Sequence, residues 1–244
     1  MVALYYSYCM GTLYIVSTPI GNLEDITIRA IRILARVDVI ACEDTRRTGL
    51  LLSELRKRYP SFSESFAPHE QKFLRYDDRY EEQKVPYIIE LLQNGQHVAL
   101  VTDAGTPLIS DPGFKLVREA LRSHVTVVSI PGPSAMLTAL VSSGLAVDSF
   151  IFLGYPPEKQ SHRIERFKEL RTHGSVASTA ILYCAPHKLE RVLEDLAGVF
   201  GAIDITIARE LTKIHESFWN GTIEDAIKIA DTMIGEIVLL FSLK

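Results

Sequence analysis

Carboxylates and arginines gather immediately after short apolar runs in the first half of this chain. Glu43 and Asp44, followed by Arg46 and Arg47, come after Val37-Asp38-Val39-Ile40-Ala41-Cys42, and Asp103 comes after Val98-Ala99-Leu100-Val101-Thr102. Asp111 follows in the next loop. A carboxylate so placed can orient a ligand hydroxyl or take its proton. Asp also caps helices and braces loops, so both roles stay open for Asp103 and Asp111. Arg46, Arg47, Arg56, Lys57 and Arg58, continued by Lys72, Arg75 and Arg79, make a basic run. Such a run can solvate a helix face or grip a phosphate backbone. His69, beside Glu70, is a further acid–base candidate if the stretch around it acts as a lid.

Three Gly/Pro loops end strands in the same half: Thr18-Pro19-Ile20-Gly21-Asn22, Asp103-Ala104-Gly105-Thr106-Pro107 and Pro131-Gly132-Pro133-Ser134-Ala135. Ligands of open α/β sheets bind beyond the carboxyl ends of the strands, where glycine lets backbone approach closely and proline fixes loop shape. Three such loops at one sheet edge predict a small-molecule cradle. The first loop lacks the glycines of a dinucleotide fingerprint, and no GxxxxGK[ST] occurs, which excludes a nicotinamide site and a P-loop. No HExxH or zinc spacing appears, and Cys9, Cys42 and Cys184 lie far apart without a CxxC. No metal is expected, and the natural setting is a reducing cytoplasm.

These residues need a scaffold, and the patterning supplies one. Strands are expected at 13–17, 37–42, 98–102 and 125–130, separated by helices from about 27, at 46–58, near 83–94 and near 113–123, with another near 134–143. Residues 59–80 are rich in Pro, Ser and charge and predict a mobile loop. Alternation of strand and helix implies parallel pairing. A second block follows a linker around 144–150. It starts at residues 150–154 and has strands near 180–184, 204–209, 216–220 and 236–242 and helices near 158–172, 186–197 and 223–233, and its short connections predict a mixed sheet. The expected division is an N-terminal extension over 1–12, of which 1–9 pack poorly, an α/β domain over 13–146 and a second over 147–244.

The 244 residues suffice for a substantial core, and 47% apolar with 23% charged residues is an ordinary globular balance. No apolar run approaches the roughly 18 residues of a membrane span. A net charge of −4 argues against nonspecific coating of nucleic acid while leaving room for a local basic patch.

Longer motifs carry a resemblance. The segment from Leu13 to Thr27, with Ser17-Thr18-Pro19-Ile20-Gly21-Asn22 at its centre, resembles the opening motif of the ribosomal RNA small subunit methyltransferase I family. Ala41-Cys42-Glu43-Asp44-Thr45-Arg46 is similar to its second motif. Thr102–Pro107 with Ser110-Asp111-Pro112-Gly113 is similar to the third, and Ile130–Ala135 to the fourth. Ala208–Lys213, His215-Glu216, Asn220-Gly221-Thr222 and Gly235-Glu236 match in the second half, so the resemblance spans roughly 13–242.

That resemblance implies the tetrapyrrole-methylase fold, two α/β domains with a cofactor cleft between them, usually as a homodimer. It implies S-adenosylmethionine as cofactor and, as substrate, a cytidine 2′-hydroxyl in the decoding region of 16S ribosomal RNA, free or in the assembled small subunit. The cofactor contacts it implies are Pro19, Asp103, Ala104, Gly105, Thr106, Pro107, Ile109, Ser134, Ala135, Tyr183, Cys184, Gly221 and Thr222. Arg46, Arg47, Arg56, Lys57 and Arg58 are the expected RNA contacts. Glu43, Asp44, Asp111 and His69 are the candidate bases, with Asp44 or Glu43 favoured because they close a strand facing the cofactor loops. The chain departs from the pattern at Tyr183-Cys184-Ala185-Pro186-His187, where the family has Tyr-Glu-Ser-Pro-His. It departs again at His69-Glu70-Gln71-Lys72, where His or Asn follows the His-Glu. Alternatives are a same-fold methyltransferase acting on a tetrapyrrole or protein, and a non-catalytic cofactor-binding factor. The basic run favours RNA.

Overall fold

The computed structural model describes residues 10–60, 71–173 and 177–243. The expectations for residues 1–9 and for His69-Glu70 lie outside these residues. The chain divides into two compact units, Met1–Pro133 and Ser134–Lys244.

In the first unit, strands β1 (Thr12–Val16), β2 (Val39–Cys42), β3 (Lys72–Arg75), β4 (Val98–Leu100) and β5 (Thr126–Ile130) form one sheet in the order β3-β2-β4-β1-β5. Every pairing is parallel, as the alternation predicts. β2 and β4 are buried at every residue, the continuous apolar run of a strand covered on both faces. Helices α1 (Ile28–Arg36) and α2 (Thr45–Arg58) cover one face through Ile31, Leu34, Leu52 and Leu55. Helices α3 (Glu81–Gln93) and α4 (Phe114–Arg122) cover the other through Ile88, Leu92, Leu116 and Ala120.

β3 corrects the expectation of a loop across 59–80. Lys72 and Arg75 are exposed, while Leu74 is buried in one core and the adjacent Phe73 packs half-buried against the other, so an edge strand of four residues leaves no alternating signal. Gln71 anchors its start. Its amide donates to the carbonyls of Leu34 at 2.7 Å and Val37 at 2.9 Å, satisfying groups at the end of α1.

In the second unit, β6 (Phe150–Phe152), β7 (Thr179–Cys184), β8 (Asp204–Arg209), β9 (Ser217–Thr222) and β10 (Ile237–Ser242) form a sheet in the order β6-β7-β10-β8-β9. β6 and β7 are parallel and the rest antiparallel, the mixed sheet expected. Helices α6 (Gln160–His173), α7 (Leu189–Phe200) and α8 (Ile223–Ile229) bury a core that includes Phe167, Leu193, Ile223 and Phe241. Helix α5 (Ala135–Ser142) packs on β7 and β10, which is why the units divide at Pro133/Ser134, where the sequence had suggested 146/147. The buried Arg163 donates from Nε to Asp195 at 2.7 Å and from Nη1 to the carbonyls of Pro157 and Glu158, fixing the loop before α6. Among the described residues, no helix is long and apolar enough to cross a membrane.

Candidate functional site

Parallel pairing brings the ends of β1, β2, β4 and β5 to one edge of the first sheet, and the three Gly/Pro loops are tied together there. Thr18 and Gly105 exchange backbone hydrogen bonds at 2.8 and 3.1 Å. The hydroxyls of Ser17 and Thr106 meet at 3.0 Å, and Thr106 donates on to the carbonyl of Pro133 at 3.1 Å. Gly105 is demanded by its φ of +86°, and Gly132 by close approach, since a Cβ there would sit 2.8 Å from that of Ser17.

Beside this knot lies a cavity of about 250 Å³. Pro19, Ile20, Leu23 and Leu51 supply an apolar wall, and Thr18, Thr102, Asp103 and Arg47 a polar one. Arg47 Nη1 donates to Asp103 Oδ2 at 3.0 Å across the rim, a partly exposed pair worth under about 1 kcal/mol.

The carboxylates sort by environment. Asp44 is the N-cap of α2, accepting from the backbone N–H of Arg46 at 2.8 Å and of Arg47 at 3.4 Å. Those bonds hold its carboxyl below the usual carboxylate range, which makes it a poor proton acceptor and argues against the preference for it. Glu43 and Asp111 instead share one partner. Thr102 Oγ1 contacts Glu43 Oε1 and lies 2.9 Å from Asp111 Oδ2. A hydroxyl has a single proton to donate, so the second of these contacts is a hydrogen bond only when a carboxyl supplies the proton. The trio is therefore built to hold one extra proton. Burial pushes the Asp111 carboxyl up to about 6, the Thr102 hydrogen bond pulls against that, and the Glu43 charge adds to the rise.

The loop carrying Asp111 is held in a costly conformation. Leu108 and Ser110 have φ of 72° and 66°, and Gly113 has φ +139°. Buried Glu81 clamps its end, accepting from Tyr76 Oη at 2.9 Å and from the Gly113 N–H at 3.0 Å. Gly113→Ala is expected to cost about 1–3 kcal/mol of stability, since its Cβ would also meet Leu100 and Leu108 below 3.0 Å. Chemical denaturation of the variant measures this, and a ΔΔG near zero would mean the loop relaxes freely.

The remaining expected cofactor residues are distributed as follows. Pro19, Asp103 and Ala104 line the cavity; Gly105 and Thr106 build the knot; Pro107 is buried, and the Ile109 N–H donates to the Thr106 carbonyl at 3.4 Å. Ser134 and Ala135 open α5 in the second unit. Tyr183 stacks edge-on against Phe152 and Tyr155. Cys184 is a core residue whose thiol burial pushes up to about 12, so it is neutral. Sheet register separates Tyr183-Cys184 from Gly221-Thr222. Cys184 is level with Ile237 and Arg209, whereas Gly221 is level with Ile205 and Phe241, about 13 Å along the strands. Thr222 caps α8, accepting from the Asp225 N–H at 3.2 Å. Of the basic run, Arg46 and Arg47 sit at the first turn of α2 and Arg56, Lys57 and Arg58 at its last, about 15 Å away.

Sequence reasoning placed Thr18 in the first cradle loop but gave no role to Thr102, Thr48 or Leu51. A threonine directly ahead of Asp103 at the end of β4 was the available signal for Thr102. No group of three or more metal-ligating side chains occurs among the described residues.

The family described as Tetrapyrrole (Corrin/Porphyrin) Methylases matches residues 12–227. The chain is 44% identical over 233 residues to a Ribosomal RNA small subunit methyltransferase I from Hydrogenobaculum sp., covering 94% of this chain and 95% of that protein. It is 39% identical to the protein of the same name from Thermotoga maritima, covering 96% and 99%. Among solved structures, a cobalt precorrin-4 methyltransferase superposes with a TM-score of 0.66 at 17% identity over 96% of both chains. The uroporphyrin-III-C-methyltransferase of Thermus thermophilus superposes with 0.62 at 19% identity, over 95% of this chain and 94% of that one. These two establish the fold alone.

Proposed function

Because this chain belongs to the ribosomal RNA small subunit methyltransferase I family, within the tetrapyrrole methylases, we infer that it methylates 16S ribosomal RNA at a cytidine 2′-hydroxyl with S-adenosylmethionine as donor. The observation that carries the chemistry is Thr102, a residue of the cavity wall, standing between Glu43 and Asp111.

The cavity fits part of such a cofactor. An apolar wall suits a purine or thioether, while the Thr18 and Thr102 hydroxyls and the Asp103 carboxylate suit ribose hydroxyls or an ammonium group. The glycines at 105 and 132 keep the backbone open around it. Pro19, Ile20 and Leu51 would hold the cofactor by contact and Asp103 by hydrogen bond. When bound, the cofactor supplies an electrophilic methyl group on a sulfonium.

A ribose hydroxyl is a weak nucleophile while protonated, so a base beside it contributes. Asp111 Oδ is that base in this reading, since a carboxyl near 6 is ionised at neutral pH yet basic enough to accept a proton. Thr102 Oγ1 then passes its hydrogen bond toward Glu43, spreading the charge over both carboxyls. Arg47 holds Asp103 in place, and Arg46, exposed at the same turn, is available to a phosphate.

The reading carries with it a cytoplasmic location and a homodimer. Labelled methyl donor incubated with unmodified small subunits tests the function: label should enter the RNA fraction. Label in ribosomal protein, or none in either, would overturn it.

A further inference from the structure

The charge of the first unit is segregated by face. α1 and α2, on one side of the sheet, carry Arg29, Arg32, Arg36, Arg46, Arg47, Arg56, Lys57 and Arg58 against a single acid, Glu54. α3 and α4, on the other side, carry four cations and four acids. In a chain of net charge −4, this concentration marks a surface that meets anions.

α1 contributes a row that the α2 cluster does not contain. Arg29, Arg32 and Arg36 are exposed while Ala30, Ile31, Leu34 and Ala35 are buried, so steps of three and four residues align the arginines on the outward face. The row extends about 10 Å at 1.5 Å per residue, and over that length a nucleic-acid strand presents about three phosphates. Its direction follows from topology. α1 starts just after the Pro19–Leu23 wall and runs back toward the amino edge of the sheet, as α2 does from Arg46 to Arg58. Arg29 thus stands at the cavity end and Arg36 at the far end. Neither makes an ion pair among the described residues.

We propose that the α1 arginines form a second phosphate track, beside that of α2, for the ribosomal RNA flanking the acceptor nucleotide. Guanidinium groups bind phosphate bidentately, and each neutralised phosphate releases counterions. The proposal rests on the RNA reading above and adds to it where the flanking RNA lies.

The test is the double variant Arg29→Gln/Arg36→Gln, with Lys84→Gln/Arg122→Gln on the opposite face as control. Affinity for protein-free 16S RNA and for assembled subunits is titrated across salt, and methyl transfer is followed in parallel. The α1 variant should lose about tenfold in RNA affinity, and its salt slope should shrink by about 1–2. It should raise KM for the subunit while kcat and thermal melting stay at wild type, with the control unchanged. Unchanged affinity and slope would overturn the track. So would equal loss in the control, or loss confined to assembled subunits, which would point to an acidic ribosomal protein. Wild-type protein that binds RNA with the expected slope but transfers no methyl group would instead defeat the functional reading and leave the track standing.

Discussion

Asp111→Asn is expected to lower kcat by about 10³-fold, within the range for removal of a general base, while cofactor affinity changes little. The wild-type rate should rise with pH and level off above about 6, where the Asp111 carboxyl ionises, and the residual rate of the variant should lack that limb. Stability should move the other way. Unfolded, this carboxyl releases its proton near 3.8; folded, it keeps it to about 6. Between those values the folded state binds more protons, so its contribution is favourable below 3.8 and is lost as pH rises through 6. Asparagine removes the penalised charge, and because water screens part of that penalty at this half-buried site, the variant should be more stable than wild type at neutral pH by only about 1 kcal/mol, with the advantage gone below pH 4. An inactive and stabilised variant is the signature. An active variant, or an inactive and destabilised one, would remove Asp111 from the role of base.

The second large effect is expected from Thr102→Val, which keeps the shape of the side chain and deletes the hydroxyl between Glu43 and Asp111. Turnover should fall by about 10²-fold, the lower end of what acid–base assistance contributes. Because the hydrogen bond from Thr102 lowers the Asp111 carboxyl, its loss should move the acid limb of the remaining activity to higher pH. Thr102→Ser should restore both rate and profile. A valine variant with an unshifted profile would reduce Thr102 to a packing residue.

Local physics made much of the scaffold readable beforehand. Fully buried runs such as Val98-Ala99-Leu100 and amphipathic helices such as Ile28–Arg36 carry their signals within ten residues, and the caps Thr27 and Asp44 mark where helices start. What escaped depends on partners distant in sequence. β3 exists because β2 lends it hydrogen bonds, since only two of its four residues, Phe73 and Leu74, are apolar. Thr102 acquires meaning only when β2 and β4 become neighbours and bring Glu43 to it. Asp44 was favoured as a base because the residue type alone does not reveal a cap: an aspartate that can take a proton is also a favoured helix N-cap, and here it accepts from the Arg46 and Arg47 N–H groups. Likewise, the strand order β10-β8-β9 fixes which end of the second sheet holds Gly221.

Nucleoside mass spectrometry of 16S RNA, taken from unmodified small subunits after incubation with this protein and S-adenosylmethionine, tests the central claim most directly. A gain of 2′-O-methylcytidine in the decoding region is the predicted product. A methyl group on a base, or RNA that returns unmodified while the cofactor binds, would contradict the assignment of Asp111, Thr102 and Glu43 to deprotonation of a ribose hydroxyl.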